Sequence, residues 1–199
     1  MGKHGAGPGE FDVVHSLAVG PQGNIYVADR DNGRLQWFDP GGRNNMEQKT
    51  KINAEDGKQE LVITREFDLP LELLFKAHVE PEIVEQWMGT KVLKLENKKH
   101  GSYQFETTDP KGNIHGFNGT IHEFVPNKKI TRTFEMENAP FDVQLEFLEF
   151  EHLTDDSSKL NMHVIYRSVA LRDQLLKLPF AQGINMAHNR LQEILNKLK

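Results

Sequence analysis

One arginine stands in an otherwise apolar strand pattern, and its chemistry is the easiest in the sequence to define. Arg132 shares the alternation phase of Ile130 and Phe134 in "KITRTFEM", so we expect its side chain to point into the protein. A buried guanidinium has to pair with a protein carboxylate or with an anionic ligand. Glu123, on the preceding strand, is the candidate protein partner, which would make the pair structural. An arginine whose head reaches solvent at a strand end is the third alternative.

Other groups that could do chemistry are few. His115, Glu123 and Tyr166 are the residues with which a pocket could perform general acid–base catalysis. The chain has no cysteine and shows no GxSxG or phosphate-binding loop, and "GAGPGE" is followed by a strand pattern. Its nine histidines show no HxH or HExxH spacing. We therefore predict no catalytic residue, no metal and no cofactor.

Composition narrows the class of protein. The 199 residues carry a formal net charge of −5, with lysine and arginine scattered along the chain, which disfavours a nucleic-acid partner. No apolar run reaches the roughly 18 residues that a membrane span requires. The first ten residues lack the apolar core of a signal peptide. The sequence therefore predicts a cytoplasmic protein.

The first 43 residues have a pattern of their own. Four short alternating runs are separated by turn sequences such as "GPQG" and "DPGG", which predicts a four-stranded antiparallel sheet. The motifs "LAVGPQGNIYVAD" and "NGRLQWFD" make residues 1–43 resemble a single NHL repeat, the blade of a β-propeller. Blades bury their faces against neighbouring blades. A lone blade is therefore either a remnant or an element through which several chains form an oligomer, and residues 44–58 are its predicted linker.

A second pattern begins at Gln59. One strand is followed by short helices starting at Pro70 and Pro81, then by six strands, and the chain ends in a long helix. Ile184, Ala187 and Leu191 lie on the apolar stripe of that last helix. This order predicts an α+β helix-grip domain over residues 59–199, in which a curved antiparallel sheet wraps the C-terminal helix and a cavity lies between them.

The motifs of this second part carry a family resemblance. The stretches "ITREFDLPLELLFKAHVEPEIVEQWMG" and "GSYQFETTDPKGNIHGFNGTIHEFVPNKKITRTFE" resemble the START-like, or SRPBCC, superfamily, in the branch of the activators of heat-shock-protein ATPase. The resemblance implies a ligand cavity. The chain departs from the family at Ile184, where tryptophan is common, and at His188, where leucine is common. Both positions are expected to face the cavity, so the ligand of a relative cannot be transferred.

The alternation of side chains along the strands, together with the resemblance, predicts which residues line this cavity. Most residues with this alternation are nevertheless expected to belong to the packed hydrophobic core. Trp87 is expected mainly as a core anchor or lid. The predicted ligand-binding residues are Trp87, Tyr103, Phe105, His115, Phe117, Ile121, Arg132, Phe134, Phe147, Met162, Tyr166, Ile184 and His188.

The function that we predict is binding of a hydrophobic or amphipathic small molecule, with a link to stress response implied by the resemblance. Two alternatives stay open. One is a chaperone-linked interaction module, in which the partner is a chaperone. The other is a polyketide-cyclase-like enzyme, although the sequence offers it no nucleophile.

Overall fold

The structure is a computed structural model and contains two compact units. It describes residues 4–5, 10–20, 23–32, 34–38, 44–46, 50–109 and 111–198. The chain divides into Met1–Gln48 and Lys49–Lys199. The turn predicted at residues 39–42 lies outside the described residues.

The first unit is a four-stranded antiparallel sheet. Its strands are β1 (Val14–Val19), β2 (Ile25–Asp29), β3 (Arg34–Phe38) and β4 (Asn44–Met46), in the order β1-β2-β3-β4. The buried Asp29 carboxylate accepts hydrogen bonds from the backbone N–H of Asp12 and from the Asn32 side chain. Leu17 and Val19 of β1 are largely exposed to solvent. A four-stranded unit is thus present, and its role as a propeller blade stays a prediction.

The second unit is an α+β domain. Its helices are α1 (Leu71–Val79), α2 (Pro81–Met88), α3 (Val169–Leu176) and α4 (Phe180–Asn196). Its strands are β5 (Lys51–Asn53), β6 (Glu60–Phe67), β7 (Lys91–Leu95), β8 (Ser102–Thr108), β9 (Ile114–Val125), β10 (Lys129–Met136), β11 (Gln144–Thr154) and β12 (Ser157–Ile165). They form one antiparallel sheet in the order β5-β6-β12-β11-β10-β9-β8-β7.

Helix α4 packs against one face of this sheet, as the predicted helix-grip arrangement requires. Leu191 and Leu195 are completely buried among side chains from β6, β11 and β12, which include Phe67, Leu148 and Leu160. The first half of the same helix lies beside a smaller cluster, where Ile184 packs on the group around Tyr166. The second half of the helix thus packs on the larger hydrophobic cluster, and its first half packs on the smaller one.

Local sequence explains where the short helices begin and end. Pro70 is the N-cap of α1, and Pro81 is the first residue of α2, a position at which its missing N–H costs nothing. Gly89 ends α2 in the left-handed conformation with φ of 66°, which glycine adopts without strain. The Ser168 hydroxyl caps α3 by accepting a hydrogen bond from the Leu171 N–H.

Some elements were absent from the sequence prediction. Strands β4 and β5 lie within residues 44–58, the range predicted as a linker. Helix α3 was also not predicted. Its only buried side chain among the described residues is Arg172, so it lacks the apolar stripe that marks an amphipathic helix.

The division into two units predicts that the second one folds without the first. A protein beginning at Met46 should unfold in one cooperative thermal transition, with a midpoint close to that of the full chain, because β5 to β12 form one sheet with each other. Differential scanning calorimetry of both proteins measures this. A broad transition, or the loss of any transition, would show that residues 1–45 are needed for the core.

The burial of α4 predicts a large effect at one position. Leu191 is 0% exposed, so Leu191→Ala should lower the free energy of unfolding by about 2–5 kcal/mol. Leu198 is 55% exposed, and Leu198→Ala should change the same quantity by less than about 0.5 kcal/mol. Urea unfolding of both variants tests the packing, and equal effects would place α4 away from the sheet.

Candidate functional site

A cavity of about 360 Å³ lies in the second unit between the sheet and the segment from α3 to the start of α4. Its wall is mainly apolar. The lining residues are Ile63, Phe134, Met136, Phe141, Asp142, Gln144, Glu146, Met162, Val164, Tyr166, Leu175, Leu178, Phe180 and Ile184. A volume of this size is at the lower end of the range for small-molecule sites, and an apolar wall with a few polar groups is their usual composition.

Two other hollows of similar volume are less suited to bind an apolar molecule. One, of about 400 Å³, is lined mostly by polar residues of β8, β9 and β10, and the other, of about 420 Å³, runs along Asp142–Leu145 and Ile165–Arg167. Both are more open to solvent than the cavity beside α4. The enclosed cavity is therefore the candidate functional site.

A buried ion pair stands at the wall of this cavity. Arg132 on β10 is directly opposite Glu146 on β11, and its Nε donates a hydrogen bond of 2.8 Å to Glu146 Oε2. The two side chains are 17% and 6% exposed. The Arg132 guanidinium also lies over the Tyr103 ring, 5.0 Å from its centre. Burial opposes the charged form of Arg132, but the neighbouring Tyr103 and Glu146 outweigh it and raise the arginine's pKa.

The carboxylate that pairs with Arg132 is not the one predicted. Glu123 forms a salt bridge of 3.0 Å with Lys129 and accepts a hydrogen bond from Thr131. The cause is a β-bulge in β9, where the ladder steps from Glu123 to Ile121 and leaves His122 unpaired with β10. The bulge reverses the alternation of β9, so Glu123 turns away from the face that Ile121 occupies. The expectation that Arg132 points inward, by contrast, agrees with the structure.

Both buried tyrosines of this region are held in the neutral form. The Tyr103 hydroxyl donates a hydrogen bond of 2.7 Å to the Thr133 carbonyl, and its ring covers Gly119, where a Cβ would collide with it. Tyr166 lines the cavity. Burial, with the nearby Glu146 carboxylate, raises the pKa of Tyr166 above its ordinary value. Tyr166 is thus a hydrogen-bonding group of the cavity, and Tyr103 supports the wall from behind.

The structure divides the predicted site residues between the cavity and the core. Phe134, Met162, Tyr166 and Ile184 line the cavity. Other predicted residues lie within the hydrophobic core, namely Trp87, Tyr103, Phe105 and Ile121. The Trp87 indole donates a hydrogen bond of 2.6 Å to the Ala77 carbonyl and ties α2 to α1, which makes it a core anchor.

Two predicted residues on β9 lie near the cavity without lining it. Phe117 packs against the Phe134 ring, with 5.7 Å between the ring centres, and is one layer removed from the cavity. His115 lies at the start of the strand, where its Nε2 is 3.4 Å from Asp109 Oδ2. His115 therefore contacts the turn that precedes β9, and the expectation that it enters the cavity is not met.

Phe147 lies on the opposite face of the sheet from the one expected. Its ring stacks on His163, and Lys129 Nζ lies 5.9 Å from its centre. The inward residues of β11 are Gln144, Glu146, Leu148 and Phe150. The strand sequence "QLEFLEF" has apolar residues at both odd and even positions, so its beginning does not show which positions face inward. Further along, Leu148 and Phe150 alternate with Glu149 and Glu151, which indicates that the even-numbered positions face inward. This signal would have identified Glu146 as an inward residue.

The segment that closes the cavity was also missed. Leu175 of α3, Leu178 of the following turn and Phe180, the first residue of α4, line the cavity. Arg172 holds α3 in place, because its Nη1 donates a hydrogen bond of 3.0 Å to the Glu55 carbonyl. Nothing in the alternation of the strands indicates these residues, and the weak amphipathicity of α3 hides them.

His188 lies in a buried polar group on the core side of α4, where it is not a cavity residue. Its Nδ1 is 2.9 Å from the Thr50 hydroxyl, and its ring packs edge-on against Phe67. Asn185 accepts hydrogen bonds from the Thr50 N–H and the Arg65 side chain. Burial, with the Arg65 charge, lowers the pKa of His188 to about 3.

Within the ranges that the structure describes, no group of three histidine, aspartate or glutamate side chains is placed to hold a metal ion. Among the described residues, no helix combines the length and the apolar character that crossing a membrane requires.

Comparison with known proteins identifies the family. The family described as "Activator of Hsp90 ATPase homolog 1-like protein" matches residues 68–196, which is more than half of the chain. The chain belongs to this family. Its members share the START-like fold that the second unit shows, and the matched residues contain most of the cavity wall.

Solved structures of bacterial proteins share this fold. A protein from Rhodobacter sphaeroides is 21% identical, with a TM-score of 0.67 over 74% of this chain and 99% of its own. Protein Ms6760 from Mycobacterium smegmatis is 18% identical, with a TM-score of 0.66 over 73% of this chain and 96% of its own. At these identities the likeness establishes the fold alone.

The first unit matches a different family. Residues 11–38 match the NHL repeat. The mouse and human proteins named "NHL repeat-containing protein 3" are 47% and 45% identical to this chain over 38 residues. That match covers 19% of this chain and only 11% of either relative's length.

The buried histidines predict how stability depends on pH. The folded protein keeps His78 neutral down to a pKa of about 4 and His188 down to about 3, chiefly because of burial, whereas the ordinary value is 6.5. Below pH 6.5 the unfolded chain therefore binds protons that the folded chain does not bind. The free energy of unfolding should fall as the pH decreases from 6.5 to about 4, by up to about 1.4 kcal/mol per pH unit for each histidine.

His188→Asn tests the contribution of one of these groups, because asparagine can keep the contact with Thr50 but does not titrate. The slope of its unfolding free energy against pH should be smaller than the wild-type slope, by the amount that corresponds to about one proton bound on unfolding. His122→Asn, at an exposed position of β9, is the matched control and should keep the wild-type slope. Urea unfolding across this pH range measures all three proteins, and an unchanged slope in His188→Asn would contradict the burial of a neutral His188.

Proposed function

We propose that this protein binds a compact hydrophobic or amphipathic small molecule in the cavity between the sheet and the start of α4. The observation that supports it best is the cavity of about 360 Å³, with a mainly apolar wall and a cluster of polar groups around Glu146. A water molecule in the liquid occupies about 30 Å³. If each non-hydrogen atom of a ligand takes a similar volume, a cavity of about 360 Å³ has room for roughly 12 of them. A ligand with one or two rings fits this space better than a long-chain lipid.

Binding is favoured over catalysis by the state of the titratable groups at the wall. A general acid or base works best when its pKa lies near the working pH. The pKa values of Arg132 and Tyr166 are both raised further from neutrality, so each keeps its proton. A cyclase-like reaction would need a group that exchanges a proton at neutral pH.

A chaperone-linked role is the second candidate, since the description of the family names activation of the Hsp90 ATPase. Such a role needs a docking surface on the outside of the domain. A mainly apolar cavity with a few polar groups at its wall lies within residues 50–198, and it supports ligand binding as the first choice. A part in stress response is suggested by the same family relation, whereas a cytoplasmic location was predicted from the composition of the sequence, and both stay predictions.

Blocking the cavity tests the proposal. Ile184 lines it, and Met186 on the same helix is 63% exposed. Ile184→Trp should fill part of the cavity and weaken binding of naphthalene-sized molecules by at least about tenfold, whereas Met186→Trp should leave it unchanged. Isothermal titration calorimetry and native mass spectrometry of protein purified without detergent measure this.

Thermal unfolding of both tryptophan variants is the control for folding. Equal affinities of the wild type and of a folded Ile184→Trp protein would show that the molecule binds elsewhere.

A further inference from the structure

Glu146 can accept more hydrogen bonds than the protein supplies. A carboxylate offers about four acceptor positions, two on each oxygen. Oε2 accepts one hydrogen bond from Arg132, and Oε1 accepts one of 3.1 Å from the Gln144 side chain. Among the described residues these are its hydrogen bonds, and the side chain is 6% exposed. A buried carboxylate at the wall of an apolar cavity thus has acceptor positions left for a ligand.

The charges around the cavity are unfavourable for an anionic ligand. Arg132, the cation nearest Glu146, is already neutralised by it at 2.8 Å. Asp142 adds a second carboxylate to the wall, and its partner Arg167 lies 2.9 Å away on the exposed side. A ligand carboxylate would lose its hydration, and it would gain no unpaired cation from these two arginines, because each of them already has a carboxylate partner.

We propose that the cavity selects uncharged apolar molecules that carry a hydroxyl or N–H group, and that Glu146 accepts the hydrogen bond from this group. The inference depends on the proposed function, because it names the chemical class of the ligand that this cavity takes. Glu146 is the residue that determines specificity, and Gln144 positions it. An anionic ligand was one of the alternatives that the sequence left open for Arg132, and the carboxylate partner of Arg132 removes the reason for one.

Three matched molecules separate the alternatives on the wild-type full chain. Naphthol donates a hydrogen bond, its methyl ether can only accept one, and naphthoic acid is an anion at neutral pH. A hydrogen bond to a buried charged group supports a preference of about tenfold or more for naphthol over the ether. Titration calorimetry should give this order, with naphthoic acid the weakest.

The same titrations identify which idea fails. If the ether binds as tightly as naphthol, or naphthoic acid binds most tightly, the inference about Glu146 is wrong while the cavity still binds apolar molecules. If none of the three binds, the proposed function is contradicted together with the inference.

Two variants assign the preference to one side chain. Glu146→Gln keeps the shape but removes the charge, so the advantage of naphthol should fall severalfold, and naphthoic acid should gain affinity because Arg132 loses its counter-charge. Glu149→Gln, on the exposed face of the same strand, should keep the wild-type order. An unchanged order in a folded Glu146→Gln protein would overturn the proposal. If this variant does not fold, the wild-type titrations still decide.

Discussion

The hydrogen-bonded ion pair between Arg132 and Glu146 is the constraint on which the functional end of this domain depends. Cross-strand register places both residues directly opposite each other on the inner face of the sheet, where neither can be hydrated in full. Removing one member of such a pair typically costs about 3–5 kcal/mol, because the other charge is left buried alone. The surroundings fit this need, since the Tyr103 ring covers the guanidinium and Gln144 donates to the carboxylate. The pair makes one part of the cavity wall polar, while the rest is apolar.

Helix α4 explains why the cavity is at this end of the sheet. Its second half carries Leu191 and Leu195, which are fully buried and close the larger hydrophobic cluster. Its first half presents Ile184 to the smaller cluster around Tyr166. Close packing is the normal state of a protein interior, so an unfilled volume of about 360 Å³ is a feature that packing alone does not explain. One helix thus stabilises the fold with one half and borders the cavity with the other.

Local rules predicted the elements of the second unit better than the contacts between them. The proline starts, the glycine stop at Gly89 and the stripe on α4 depend on short-range geometry and could be read from the sequence. The site depends on register instead. A bulge at His122 moved Glu123 away from Arg132, and mixed alternation concealed the inward phase of Glu146. Phe134, Met162 and Ile184, which line the cavity, lie on strands and a helix that have one apolar phase, and Tyr166 continues the phase of β12, whereas α3 has no such phase.

Under the proposed function, the buried polar groups, which are costly for folding, provide specificity for a ligand. An apolar cavity alone distinguishes molecules mainly by size, and one methylene group changes affinity by only about 1–3 kcal/mol. A buried carboxylate with unused acceptor positions discriminates more strongly between ligands. A ligand that has no hydrogen-bond donor would displace the water from the carboxylate without replacing the hydrogen bonds of that water. Arg132 then serves to balance the charge of Glu146 and to orient its carboxylate, which is a different role from holding an anion. Ile184 lines the same cavity, and under the proposed function it contributes to the shape that the apolar part of a ligand meets.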